Sequence, residues 1–128
     1  MVFKAAGAAA AAGVSFDDLV RITTKANDRT RTMSVGFRGC TLPGADEPLF
    51  HVPHGKMEIG QGIHGEPGVG EGDLASAAEV AELLVDRVLA EAPADDSKRI
   101  AVILDGLGST KYEELFVVWG TVRPAARG

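Results

Sequence analysis

Apolar and polar positions along this chain change their spacing several times, and each change marks an element. Val2 to Ala12 is nearly all alanine, the best helix former, and Gly13 follows where a helix would close. Ser15 can cap a second helix with Asp17 and Asp18 in its first turn; Phe16, Leu19, Val20, Ile22 and Ala26 then recur on one face as far as Asp28. Thr32 to Phe37 alternates with β-branched residues and predicts a strand, followed by the turn-rich run Gly39 to Gly44. Leu49 to Val52 and Lys56 to Ile59 predict two further strands, with Ala45 to Pro48 a solvated loop and Pro53 at a strand end. Gly60 to Asp73 holds too much glycine for a regular element.

Ser76 and Glu79 have the spacing of a capping box, and Val80, Leu83, Leu84, Val88 and Leu89 continue one helical face before Pro93. The unbroken apolar run Ile100 to Leu104 predicts a strand buried on both faces. Asp105 to Thr110 then turns, with Ser109 or Thr110 as cap, into a helix over Lys111 to Val122. Helices interleaved with strands define an α/β (α+β-like) class, a mixed β-sheet with helices packed on it, and no repeat or linker divides residues 1–128. A single domain is expected.

A net charge of −5 argues against a phosphate-backbone partner, so no nucleic acid is expected. The alanine-rich start falls short of the roughly 18 apolar residues of a membrane span, and a packed helix explains it better than a signal peptide does. With Cys40 the one cysteine, no intrachain disulfide can form; a reducing, cytoplasmic setting fits, and Cys40 reads as a small buried apolar residue.

The chemistry concentrates between Met57 and Gly68. Six glycines fall from Gly60 to Gly72 around one nucleophile, His64, a density that suits a ligand-facing loop. Gly60, Gly62 and Gly65 satisfy the dinucleotide fingerprint, but Pro67 and Gly68 stand where its helix should begin, so a pyrophosphate site is not expected. His51, His54 and His64 with Glu58 and Glu66 match no rigid ligand spacing, and no metal is assigned to them.

Met57-Glu-Ile-Gly60 leading into Gly62-Ile-His-Gly-Glu-Pro-Gly68 closely resembles the signature of the substrate-binding subunit or domain of dihydroxyacetone (glycerone) kinases. Lys4-Ala-Ala-Gly7, Cys40-Thr-Leu-Pro-Gly44, Leu74-Ala-Ser-Ala77 and Gly106-Leu-Gly-Ser-Thr-Lys-Tyr-Glu-Glu-Leu115 are similar to further family blocks, in family order. The resemblance implies the second lobe of that fold, without the first lobe and the closing strands. It also implies that His64 adds through a ring nitrogen to a ketone carbon, giving a covalent hemiaminal, with Gly62, Ile63, Gly65 and Glu66 as the substrate-binding loop.

Such capture is physically reasonable. Neutral imidazole is nucleophilic near neutral pH, and a ketone is electrophilic while a polyol is not. The captured ketose would be phosphorylated on a terminal hydroxyl, with ATP and Mg, or the ADP of a phosphotransferase partner, held on a separate nucleotide-binding domain or subunit. By the same resemblance the chain forms homodimers, and alone it is expected to be inactive. Lys56, Gln61 and Gly70 to Gly72 depart from common family residues, which leaves dihydroxyacetone and a four-carbon ketose equally open. A keto-sugar-binding or sensing module without phosphoryl transfer is the alternative.

Overall fold

The computed structural model describes residues 1–39, 41–94, 99–106 and 110–126. Cys40 and Ser109 lie outside them. The chain divides into two compact units, Met1–Thr32 with Glu91–Lys98, and Met33–Ala90 with Arg99–Gly128.

In the first unit α1 (Val2–Ala11) packs on α2 (Phe16–Asp28), with Ala9 buried between helices whose remaining side chains are half-buried or exposed. Gly13 closes α1 at φ 71°, its N–H donating to the Ala10 carbonyl while the Val14 N–H reaches back to that of Ala9. This pair of bonds is the Schellman arrangement, and it needs the left-handed residue that glycine supplies. Ser15 caps α2: its Oγ accepts from the Asp18 N–H at 3.2 Å and donates to Asp18 Oδ2 at 2.9 Å. The Arg21 guanidinium and the Ser15 hydroxyl hold the Asp18 carboxyl below its ordinary range. At the other end Arg31 donates to the carbonyls of Asp28, Thr30 and Glu91, which ties residue 91 to the C-terminus of α2.

The second unit contains an antiparallel sheet in the order β1 (Val35–Gly36), β2 (Lys56–Ile59), β3 (Gly70–Asp73). Val35 pairs with Ile59, Lys56 with Asp73, and Ile59 with Gly70. Lys56 Nζ lies 2.7 Å from Asp73 Oδ1, so the first rung of the β2–β3 ladder is also an ion pair. Two helices, α3 (Ala77–Ala90) and α4 (Tyr112–Ala125), pack on each other and bury Val80, Ala81 and Val122. The Ser76 capping box is present, with Ser76 N–H and Oγ both bonded to Glu79 Oε2 and the Glu79 N–H donating back to Ser76 Oγ.

Among the described residues, four helices and three strands bear out the α/β class, but the sheet expected to be mixed is antiparallel throughout, because its strands follow one another in order with no crossover helix between them, and the helices pack on one another in pairs. Several boundaries differ from those read from the sequence. The strand expected over Thr32 to Phe37 contracts to Val35–Gly36. Leu49 to Val52 forms no strand: Pro48 and Pro53 bracket it, and neither can donate to a ladder. Gly70–Asp73, expected to be irregular, is a strand, because pairing is a backbone property and the Met57 and Ile59 side chains lie over Gly72, 3.5 Å from where a Cβ would stand. Ile100 to Leu104 has no ladder partner among the described residues, and Ile100 and Ile103 are 61% and 60% exposed instead of buried on both faces. The cap of α4 is Lys111, not Thr110; its N–H donates to Glu114 Oε2 at 2.8 Å.

Candidate functional site

The ten residues 60 to 69 connect β2 to β3, and their form follows from a few main-chain contacts. At the base the Val69 N–H donates to the Ile59 carbonyl at 2.8 Å. Gly60 turns the chain at φ 76°, and its N–H donates to the Ser34 carbonyl at 2.8 Å. Ser34 Oγ donates to the Gln61 carbonyl at 2.6 Å, so one residue preceding β1 grips both residues at the root of the loop. Gly68 lies so close to the Ile59 carbonyl that any Cβ would overlap it, and Glu58 Oε1 would be 2.9 Å away.

At the tip the Gly65 N–H donates to the Gly62 carbonyl at 3.0 Å, which closes a four-residue turn with Ile63 and His64 at its corner. The Gly62 N–H donates to the Glu66 carbonyl, also at 3.0 Å. Corner residues of such a turn project outward; Ile63 is exposed and the His64 side chain is 81% exposed. Gly65 has φ 87°, and Leu49 packs beneath it.

Glu66 folds back over Gly62. A Cβ on residue 62 would overlap Glu66 Oε2 and come within 2.8 Å of Glu66 Cβ, so only glycine leaves that space. From there Glu66 Oε2 accepts the His64 backbone N–H at 3.1 Å while Oε1 stands 3.5 Å from His64 Nδ1. The backbone amides of Glu66 itself and of His64 hold the Glu66 carboxyl below its ordinary range. An ionised carboxylate, acceptor only, therefore faces the imidazole at neutral pH.

Of the residues singled out in the sequence, the structure brings Gly62, Gly65 and Glu66 around His64, with Ile63 beside it on the exposed corner. His51 and His54 lie in irregular, exposed backbone. Among the described residues no three His, Cys, Asp or Glu side chains are grouped to hold a metal ion, and no helix is long and apolar enough to cross a membrane. Two contributors carried no local signal. Ser34 sits in an unremarkable run and acts through tertiary bonds. Gln61 is 8% exposed, and its Oε1, buried against Gly36, has no hydrogen-bond partner.

This hairpin, with its glycine-supported histidine, lies in a chain that belongs to the Dak1 domain family: the Dak1 domain profile matches residues 1–127. The chain is 60% identical over 121 residues to the D-erythrulose kinase of Mycolicibacterium smegmatis, covering 94% of this chain and 21% of that protein. It is 32% identical over 122 residues to the dihydroxyacetone-binding subunit DhaK of a PTS-dependent dihydroxyacetone kinase of Listeria innocua, covering 95% and 37%. Its fold is similar to the crystal structure of the dihydroxyacetone kinase of C. freundii, with TM-score 0.84 and 33% identity in the native form, over 96% of this chain and 22% of that one. The complex of that kinase with AMP-PNP and Mg2+ gives 0.81 and 34%, over 94% and 22%. The chain thus spans about a fifth of the length of the erythrulose kinase and of the C. freundii kinase.

Proposed function

We propose that this chain is the ketose-binding second lobe of a kinase, one partial domain that captures dihydroxyacetone or a four-carbon ketose such as erythrulose as a hemiaminal on His64. The observation that carries the reading is the presentation of the His64 ring: exposed, at the corner of a turn, with a carboxylate beside one ring nitrogen. Erythrulose enters because a relative of that name is 60% identical, and dihydroxyacetone because the DhaK subunit and the C. freundii kinase carry that name at lower identity.

The rest of the reaction belongs to other parts of the assembly. A separate nucleotide-binding domain or subunit supplies the phosphoryl group, and the AMP-PNP and Mg2+ bound to the C. freundii kinase support ATP with Mg as that donor. The homodimer implied by the family stays part of the proposal. His64 supplies selection by reactivity, since a carbonyl adds to imidazole and a plain polyol does not.

Native mass spectrometry of the chain with dihydroxyacetone, and separately with erythrulose, tests the capture step. The expected result is a rise by the full mass of the ketose, without loss of water, that disappears in His64→Ala. Loss of water would indicate an imine on a lysine, and an unchanged adduct in the variant would place capture elsewhere; either overturns the reading.

A further inference from the structure

We propose that Glu66 is the positioning residue for His64: it keeps the ring proton of the resting imidazole on Nδ1, leaving the Nε2 lone pair outward as the nucleophile, and it faces the nitrogen on which positive charge appears during addition. The inference rests on the capture reading above for its chemistry, though the position of the proton is measurable without any ketose.

One carboxylate engages the same residue twice, through the His64 backbone N–H at 3.1 Å and beside Nδ1 at 3.5 Å. A glycine at position 62 is required to admit that side chain, so the placement is built into the loop. The 3.5 Å separation is longer than a formed hydrogen bond, as is common at sites without substrate, where such contacts tighten on binding. Free histidine in water favours the proton on Nε2, which would leave the wrong nitrogen facing solvent. A carboxylate beside Nδ1 reverses that preference, because only the Nδ1–H form can donate to it. With its carboxyl held ionised by two backbone amides, Glu66 cannot itself donate.

The addition then balances without a co-reactant. The Nε2 lone pair forms a bond to the carbonyl carbon, and the carbon–oxygen π pair moves to oxygen. The ring becomes an imidazolium with its Nδ1 proton directed at Glu66, and the new alkoxide takes a proton from water. Loss of the Nδ1 proton to solvent gives the neutral hemiaminal, so the net change is one N–C bond formed, one C–O π bond broken and one proton moved from ring to oxygen. Glu66 touches the ring and not the ketose.

The first test is nitrogen NMR of the chain labelled at histidine, without ketose, in alkaline solution. The His64 signals are assigned by their absence in His64→Ala, which separates them from His51 and His54. The Nδ1–H form is expected to predominate, and Glu66→Gln, whose carboxamide can donate to Nδ1, is expected to shift the ring toward Nε2–H. A resting Nε2–H ring, or a tautomer indifferent to Glu66→Gln, would overturn the proposal.

Glu66→Gln should also weaken the mass-detected adduct by about tenfold. That is the low end of the roughly 10- to 100-fold loss seen when an outer carboxylate is removed from a metal-bound histidine, because this pair is open to solvent. An undiminished adduct would count equally against it. If the unaltered chain forms no adduct with either ketose, the capture reading falls, while the tautomer still judges Glu66 on its own.

Discussion

Single side chains in the 60 to 69 loop act mainly through where they let the main chain go, and Glu66 has a consequence that pH can read. Its carboxyl sits below the ordinary glutamate value because the native loop donates two amides to its ionised form. The stabilisation is therefore fully present above that ordinary value and is lost as pH falls through the lowered native one. The Glu66 side-chain carboxyl resonance, followed by carbon NMR, should titrate with a midpoint below that of an unperturbed glutamate; a midpoint at or above it would show that Glu66 is not bonded as described. His64 and its neighbouring glycines were legible from the sequence because few side chains are nucleophilic and few loops hold so much glycine. The bond from Glu66 back to His64 was not, since it depends on an empty Cβ position at Gly62 that only coordinates reveal. Nor was the buried Gln61 Oε1, as glutamine is usually found in water.

Elements separate by how local their signals are. The spans of α1, α2 and α3 follow the sequence reading closely, since Gly13, Ser15 and the Ser76–Glu79 pair mark their ends through contacts within a few residues. Strands obeyed no such rule: Lys56–Ile59 was legible in full, whereas the two-residue β1 and glycine-rich β3 exist because β2 lies beside them. The hairpin they frame gives a paired prediction. In Gly62→Ala the new Cβ displaces Glu66 and releases the carboxylate from His64, which lowers stability. Gly70→Ala meets nothing within 4 Å, lacks a positive φ, and should be neutral or slightly stabilising through the unfolded chain. Urea unfolding of both variants checks the contrast, and equal costs would show that the steric account of Gly62 is wrong.

For the chain as a whole, the balance between buried and exposed apolar surface is unusual. Among the described residues, Ala9, Met57, Val80, Ala81 and Val122 are the buried apolar ones, while Phe3, Phe16, Ile100, Ile103, Phe116 and Val117 are exposed. Each large apolar side chain left in water forgoes about 1.5–3 kcal/mol of burial, so this much uncovered side chain favours association or looseness. The isolated chain should bind the dye ANS strongly while native and show concentration-dependent sedimentation. Weak dye binding together with a monomer at all concentrations would contradict the exposure seen here. The unbroken run Ile100 to Leu104 is the clearest example: its composition called for burial, and composition cannot say which surface does the covering.

Ser34 holds the Gly60 N–H with its carbonyl and the Gln61 carbonyl with its hydroxyl, so one residue fastens the stem of the hairpin at two successive positions. The Gly60 amide, bonded to a backbone carbonyl like those of the ladder, should exchange its hydrogen on the same slow schedule as the β2 amides rather than that of an exposed loop. For the capture proposed above this would matter in time more than in strength: a fastened root keeps the imidazole at one location through many collisions, and the wait between captures would then be governed by ketose concentration instead of by the wandering of the loop.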